Sequence, residues 1–322
     1  MEGKQIVGRN WCERFSLAAC LVFGLAGCGD RSTPVVEQVL AAGGSVRGGR
    51  NSGYEVDLTS AEFPEQLLDA VAALQPLQKL ALSDSSITDD GLQAVKNCTS
   101  LQWLSLSHTV VGDAGMEHLG RLTELETLLL EGTAVTDSGV AKLKTLVRLR
   151  TLSLSNLPIT GAGLAALEQH PHLKELSLNN TSITDADLTH LARLPSLEQL
   201  HLRSTLVSGD GLWALQGLPR LSRLSLRYAP VADANAPALA LLKRLEVLDL
   251  AFTEIGDEAL HHLARLEHLK ELNLYGTAVT DAGMKELAAM QSLGRLVVSK
   301  TGVSESGIQA LHRDLPNLII EQ

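Results

Sequence analysis

Leucine recurs along this chain at an interval of 24 residues, and that spacing restricts its fold more than any other feature. It stands at 77, 101, 125, 149, 173, 197, 221, 245, 269 and 293. A second column lies three residues on, from Leu80 to Leu296, and a third runs from Leu82 to Val298. Ten copies in one register mean that a single supersecondary unit is repeated. Within a copy, the L-x-L alternation predicts a short strand with one buried face. The later L-x-x-L spacing predicts one face of a helix. No copy can bury its own leucines, so the copies must stack and share an elongated core. Composition agrees, since 45% of the 322 residues are hydrophobic but only 3% aromatic. Such a core rests on many equivalent aliphatic positions.

With the first leucine of a copy as position 1, the unit reads L-x-x-L-x-L-x-x-T-x-V-T-D-x-G-L-x-x-L. Repeat nine shows it as Leu269, Leu272, Leu274, Thr277, Val279, Thr280, Asp281, Gly283, Met284 and Leu287. This resembles the leucine-rich-repeat family in its T-D-x-G-L subtype, over roughly residues 53–322. The resemblance implies an α/β fold, a leucine-rich-repeat solenoid (horseshoe) with a parallel concave sheet and convex helices. Residues 35–76 then read as an N-terminal cap with an atypical first repeat, 77–317 as ten repeats and 318–322 as a truncated last one. Val56 and Leu58 anchor that first repeat, one period before Leu80 and Leu82.

Local expectations follow. The pairs Thr88-Asp89, Thr136-Asp137, Thr184-Asp185 and Thr280-Asp281 recur at one position and are expected to cap helices. Thr at position 9 is expected to bond the neighbouring coil, and the Gly of T-D-x-G to permit close packing. Cys98 stands at a leucine position and reads as a small core residue. Repeat seven departs from the pattern with Ala229, Asn235, Ala236 and Pro237, and the proline is expected to disturb its convex helix.

The N-terminus reads as a targeting segment. Lys4, Arg9 and Arg14 precede an apolar run, Phe15 to Leu25, too short to span a bilayer as an ordinary helix. It ends in Leu25-Ala26-Gly27-Cys28, which resembles the lipobox of bacterial lipoproteins. The resemblance implies a removed signal peptide over 1–27, a lipid on Cys28, a tether over 28–34 and an extracytoplasmic domain held to a bacterial membrane. Asp30 is second after Cys28 rather than adjacent, which leaves the inner and outer membranes both open.

Net charge is −10, from 27 basic and 37 acidic residues with no long basic run, a poor match to nucleic acid. No nucleophile elbow, zinc-spaced cysteine pair or phosphate-cradling loop is present, so neither catalysis, a cofactor nor a metal is expected. His170 and His172 are placed on a convex-side turn, and the adjacent His261 and His262 are expected to diverge.

Positions 3, 5 and 7 face out from the strand. Most hold small polar residues, but repeats six to nine carry Arg203, Arg227 and Tyr275 at position 7, His201 and Asp249 at position 5, and Arg223 at position 3. Tyr228 and Phe252 follow at position 8. Arginine and aromatic side chains dominate binding hot spots. Stacking Arg203 beside Arg227 costs repulsion that an anionic partner group would relieve. Trp103 is a lone aromatic at position 3. The expected function is non-enzymatic binding of a protein partner on the concave face. An anionic glycan or envelope polymer, or a structural scaffold without a focal site, fits the same residues.

Overall fold

The computed structural model describes residues 33–322. The expected signal peptide, Cys28 and most of the tether lie outside these residues. Helix α1 (Thr33–Ala41) opens the described chain, so Thr33 and Pro34 are helical rather than tether. It leads into an antiparallel hairpin of β1 (Ser45–Gly49) and β2 (Gly53–Asp57). From β2 onward every strand pairs parallel with the next. Val56 lies beside Leu80, Leu80 beside Leu104, and finally Leu296 beside Ile320. Thirteen strands form one sheet in chain order. The antiparallel first pair is a departure from an all-parallel sheet. A hairpin needs only a tight turn, whereas a parallel neighbour needs a long crossover. It therefore closes the end of the leucine columns in few residues, with Val39, Tyr54, Val56 and Leu58 buried there.

The core is the stack of leucines at positions 1, 4 and 6, nearly all fully buried. Convex segments are short. Some are α-helical, such as Asp113–Leu119 and Asp257–Leu263, and others are 3-10, such as Gly91–Asn97 and Leu212–Gly217. Among the described residues no helix is long and apolar enough to cross a membrane.

The Thr and Asp of T-D-x-G divide their work. Thr136 and Thr280 cap their helices, accepting the amides of Ser138 and Ala282. The aspartates do something else. Asp113 Oδ1 accepts the Thr136 amide at 2.8 Å and its Oδ2 the Thr136 hydroxyl at 2.6 Å, one repeat further on. Asp137 holds Thr160, Asp257 holds Thr280 and Asp281 holds Ser304 in the same way. A carboxylate ladder thus ties one turn of the coil to the next at these steps. Position 9 is a correction. The Thr109 hydroxyl donates to the Leu106 carbonyl at 2.7 Å, and Thr181, Thr205, Thr253 and Thr277 repeat the bond. The chain turns sharply at position 8, so the hydroxyl meets its own repeat rather than the neighbouring coil.

The ladder explains the glycine at position 15. A Cβ on Gly139 would lie 2.3 Å from Asp113 Oδ1, and one on Gly163 would lie 2.4 Å from Asp137 Oδ1. The glycine leaves room for the carboxylate of the preceding repeat. At two steps the roles are exchanged. Gly161 stands where Asp is usual and Asp187 where Gly is usual, and a Cβ on Gly161 would lie 2.1 Å from Asp187 Oδ1. Asp187 instead accepts the amide and hydroxyl of Thr184, both at 2.8 Å. Gly209 and Asn235 repeat the exchange, with Asn235 Oδ1 accepting the Ala232 amide. Asn235 in repeat seven therefore compensates Gly209. Pro237 is also accommodated. It is the second residue of helix Ala236–Leu239, where a missing N–H breaks no intrahelical bond.

Two histidine placements differ from expectation. His170 occupies a leucine position and is fully buried, with Nδ1 3.2 Å from the Leu167 carbonyl and Nε2 3.1 Å from that of Leu143. It is a core residue, because position 22 faces inward in repeats one to nine. His261 and His262 stay in edge contact at 5.6 Å rather than diverging, and His261 Nδ1 meets Glu286 at 3.0 Å. Cys98 is buried, and that burial pushes its thiol pKa up against an opposing contact from Gln75.

Candidate functional site

The site begins with a backbone constraint. Position 8 adopts a positive φ in all ten repeats, from Ser204 at 53° to Gly276 at 69°. Its amide donates to the position 7 carbonyl of the next repeat, as Tyr228 does to Ala251 at 3.0 Å and Phe252 to Tyr275 at 2.8 Å. The left-handed region suits Gly, Asn and Asp, and Asp84, Gly132, Asn156, Asn180 and Gly276 fit it. Tyr228 (φ 59°) and Phe252 (φ 56°) do not. A bulky side chain there costs of the order of 1 kcal/mol or more. The solenoid holds them in place through the ladder bonds on either side.

Once placed, the rings build a continuous stack along the rim of the concave sheet. Tyr228 and Phe252 lie 4.5 Å apart and nearly parallel, at 7°. Phe252 meets Tyr275 edge-on at 4.9 Å. Gly276 makes room for this, since a Cβ there would lie 2.8 Å from Phe252 Cδ1. Cations lie against the stack. The Arg203 guanidinium is 5.2 Å from the Tyr228 ring, and that of Arg227 is 5.1 Å from Tyr228 and 5.2 Å from Phe252. Lys300 is 5.3 Å from Tyr275, whose hydroxyl beside it raises the ammonium's pKa. Lys300 extends the site into repeat ten. Sequence reasoning missed it, although it stands in the same position 8 column as Tyr228 and Phe252.

Arg203 and Tyr228 are exposed and Arg227 is half-buried. The Nε–H of Arg227 is buried and has no acceptor. The remaining expected residues lie on the strands of the sheet. His201, Ser225 and Asp249 sit in register on adjacent strands, with Arg223 beside them at position 3. Burial lowers the His201 pKa, Glu175 opposes that, Arg223 adds to it and Asp249 opposes it. Asp249 is already engaged, accepting the Ser225 hydroxyl at 3.3 Å and the Ala251 amide at 3.1 Å. The structure thus gathers Arg203, Arg227, Tyr228, Phe252 and Tyr275 into one rim cluster and leaves His201, Arg223 and Asp249 on the strands beside it. Trp103 stands apart, with Lys79 over its ring at 4.4 Å.

The strand entrances carry a different pattern. Cations there pair with carboxylates of adjacent repeats: Arg150 with Glu126 at 3.1 Å, Lys174 with Glu198 at 2.9 Å, and Lys270 with Glu246 at 2.9 Å. Arg295 is shared by Glu271 and Glu321. Among the described residues no group of three or more His, Cys, Asp or Glu is placed to hold a metal ion.

Two family models, both described as leucine rich repeat, match the chain, one over residues 147–207 and the other over 73–96, 97–120, 244–264 and 265–288. No curated protein matches the sequence. Solved structures do resemble the fold. An internalin (inlF) of Listeria monocytogenes aligns at 19% identity over 81% of this chain and 89% of its own, with a TM-score of 0.58. A leucine-rich-repeat protein of Leptospira interrogans aligns at 18% identity over 81% of this chain and 75% of its own, with a TM-score of 0.59. At these identities the likeness concerns the fold. With its in-register strands and matched repeats, the chain has the fold of a leucine-rich-repeat solenoid.

Proposed function

We propose that the chain is an extracytoplasmic lipoprotein, anchored to a bacterial membrane through an acylated Cys28, that binds a protein partner on the rim of its concave sheet and catalyses nothing. The rim stack of Tyr228, Phe252 and Tyr275 with Arg203 and Arg227 carries this reading. Two of its aromatics sit in a backbone conformation that costs stability, and they add no buried core to offset it. Solenoids of this type commonly serve as binding modules, and aromatic and arginine anchors dominate protein interfaces.

The test is cross-linked capture from the envelope of the native host, comparing wild type with Tyr228→Ser/Phe252→Gly, both confirmed folded. The expected result is one partner held by wild type and lost with the variant. Equal capture by both would move the site elsewhere, and no capture by either would favour a structural scaffold. For the anchor, Cys28→Ser is expected to shift the protein from the detergent phase to the aqueous phase in a cloud-point partition. Unchanged partition would remove the lipoprotein assignment.

A further inference from the structure

We infer that the segment seated on this rim is acidic, a stretch of peptide whose carboxylates occupy the guanidinium groups of Arg203 and Arg227; this rests on the reading of the rim as a protein-binding site. At the strand entrances the fold neutralises its own cations, as Arg150, Lys174, Lys270 and Arg295 each have a carboxylate on an adjacent repeat. Arg203, Arg223 and Arg227 form no ion pair among the described residues. Along position 7 the neighbours of Arg203 and Arg227 are Asn179 and Ala251, neither of which carries charge. The one acid in the cluster, Asp249, has its oxygens taken by Ser225 and Ala251. In a chain of net charge −10, Arg203 and Arg227 stand beside one another with no carboxylate paired to either, a local exception.

The surroundings of these arginines fit carboxylates. Guanidinium groups packed against aromatic rings lose part of their hydration, which strengthens charge-assisted bonds to an incoming carboxylate. The exposed edges of the same rings carry positive partial charge and favour an anion too. The Arg227 Nε–H has no acceptor, so the fold's own hydrogen bonds do not account for this arginine. A sugar chain fits less well. Pyranose rings pack their C–H face on an open aromatic face, whereas Tyr228 and Phe252 cover one another and their guanidinium neighbours lie 5.1 to 5.2 Å from the ring centres. What the rim offers outward is ring edges and N–H groups.

The test uses the full chain in non-ionic detergent and fluorescence anisotropy. The probes are a fluorescein-labelled dodecapeptide of alternating Glu and Leu, its Gln counterpart, and dextran sulfate. The Glu peptide is expected to bind at least about tenfold more tightly than the Gln peptide, and to weaken as salt rises. Arg203→Gln/Arg227→Gln is expected to cost about tenfold, while the charge-matched control Arg148→Gln/Arg193→Gln stays within about twofold. Equal binding of the Glu and Gln peptides, no binding of either, or equal loss in the control overturns the inference. So does binding of dextran sulfate without binding of the Glu peptide, which would assign the rim to an anionic polysaccharide. Envelope capture separates this inference from the reading beneath it. Capture lost with Tyr228→Ser/Phe252→Gly but kept with Arg203→Gln/Arg227→Gln would leave a protein-binding rim and refute its preference for acid.

Discussion

Adding one methyl group at Gly139 tests the carboxylate ladder directly. In Gly139→Ala the new Cβ would meet Asp113 Oδ1 at 2.3 Å, so the carboxylate must move. Repeat eight carries Ala259 at this position, and there Asp233 keeps the Gly256 amide at 2.6 Å. The bond expected to break in the variant is therefore the one from the Thr136 hydroxyl, and a net hydrogen bond to a charged group contributes about 2 kcal/mol. Alanine recovers about 1 kcal/mol of helix propensity over glycine. The expected balance is a loss of about 1 kcal/mol, against a gain of about 1 kcal/mol if the ladder contributed nothing. The assay is urea unfolding followed by circular dichroism. A second measurement guards against a general packing fault. The exchange Asp113→Gly/Gly139→Asp copies what the chain does at Gly161 and Asp187, and it is expected to recover most of the stability that Gly139→Asp alone loses. If Gly139→Ala proves neutral or stabilising, or the exchange is no better than its single members, the ladder is not what joins the repeats.

Further outcomes follow from other sites. His170→Leu restores the leucine column at position 22, and both carbonyls near the ring already accept backbone amides, so the melting temperature is expected to rise by a few degrees, about 1 kcal/mol; a fall would show that the ring's contacts bind repeats three and four more strongly than leucine packing. Burial alone would raise the Asp185 pKa, but bonds from the Ser208 hydroxyl and the amides of Gly211, Gly209 and Ser208 hold it below the ordinary value. Its stabilisation is present above the unfolded aspartate pKa of about 4 and is lost as pH falls below that, so Asp185→Asn should flatten the acid limb of a stability profile. An unaltered limb would discount those bonds. Phe252→Gly relieves about 1 kcal/mol of left-handed strain and removes a stacking contact of similar size, so stability is expected to change little while binding falls, checked by thermal melts beside the capture assay. A large loss of stability would make the ring a structural element.

The fold was legible because its strongest signal is geometric. A leucine at position 4 of every repeat can be read as a column before any contact is known, and Leu80 to Leu296 do pair in register. The rim cluster was half legible. Tyr228 and Phe252 stand out in a chain poor in aromatics, but their meaning depends on the positive φ of position 8. The column itself held that signal, since Asp84, Gly132, Asn156, Asn180 and Gly276 are residues that tolerate the conformation. Read that way, Lys300 would have joined the cluster. The threonine of position 9 was misjudged because its reach depends on where the chain turns, which spacing does not state. The ladder was hidden because aspartate next to threonine before a helix reads as a cap, when its partner lies 23 residues away. The paired departures at Gly161 with Asp187 and Gly209 with Asn235 were the visible trace of it.

The exchanged steps also impose a grammar on how such a gene can lengthen or shorten. If repeat four were deleted, Asp137 would face Asp187, two carboxylates in a space built for one. If repeat five were deleted, Gly161 would face Gly211, and neither would supply a carboxylate. Losing both together brings Asp137 against Gly211, a pairing the chain already uses elsewhere. Repeats four and five can therefore be inherited, duplicated or lost only as a couple, and the concave surface above them changes length there in steps of two repeats.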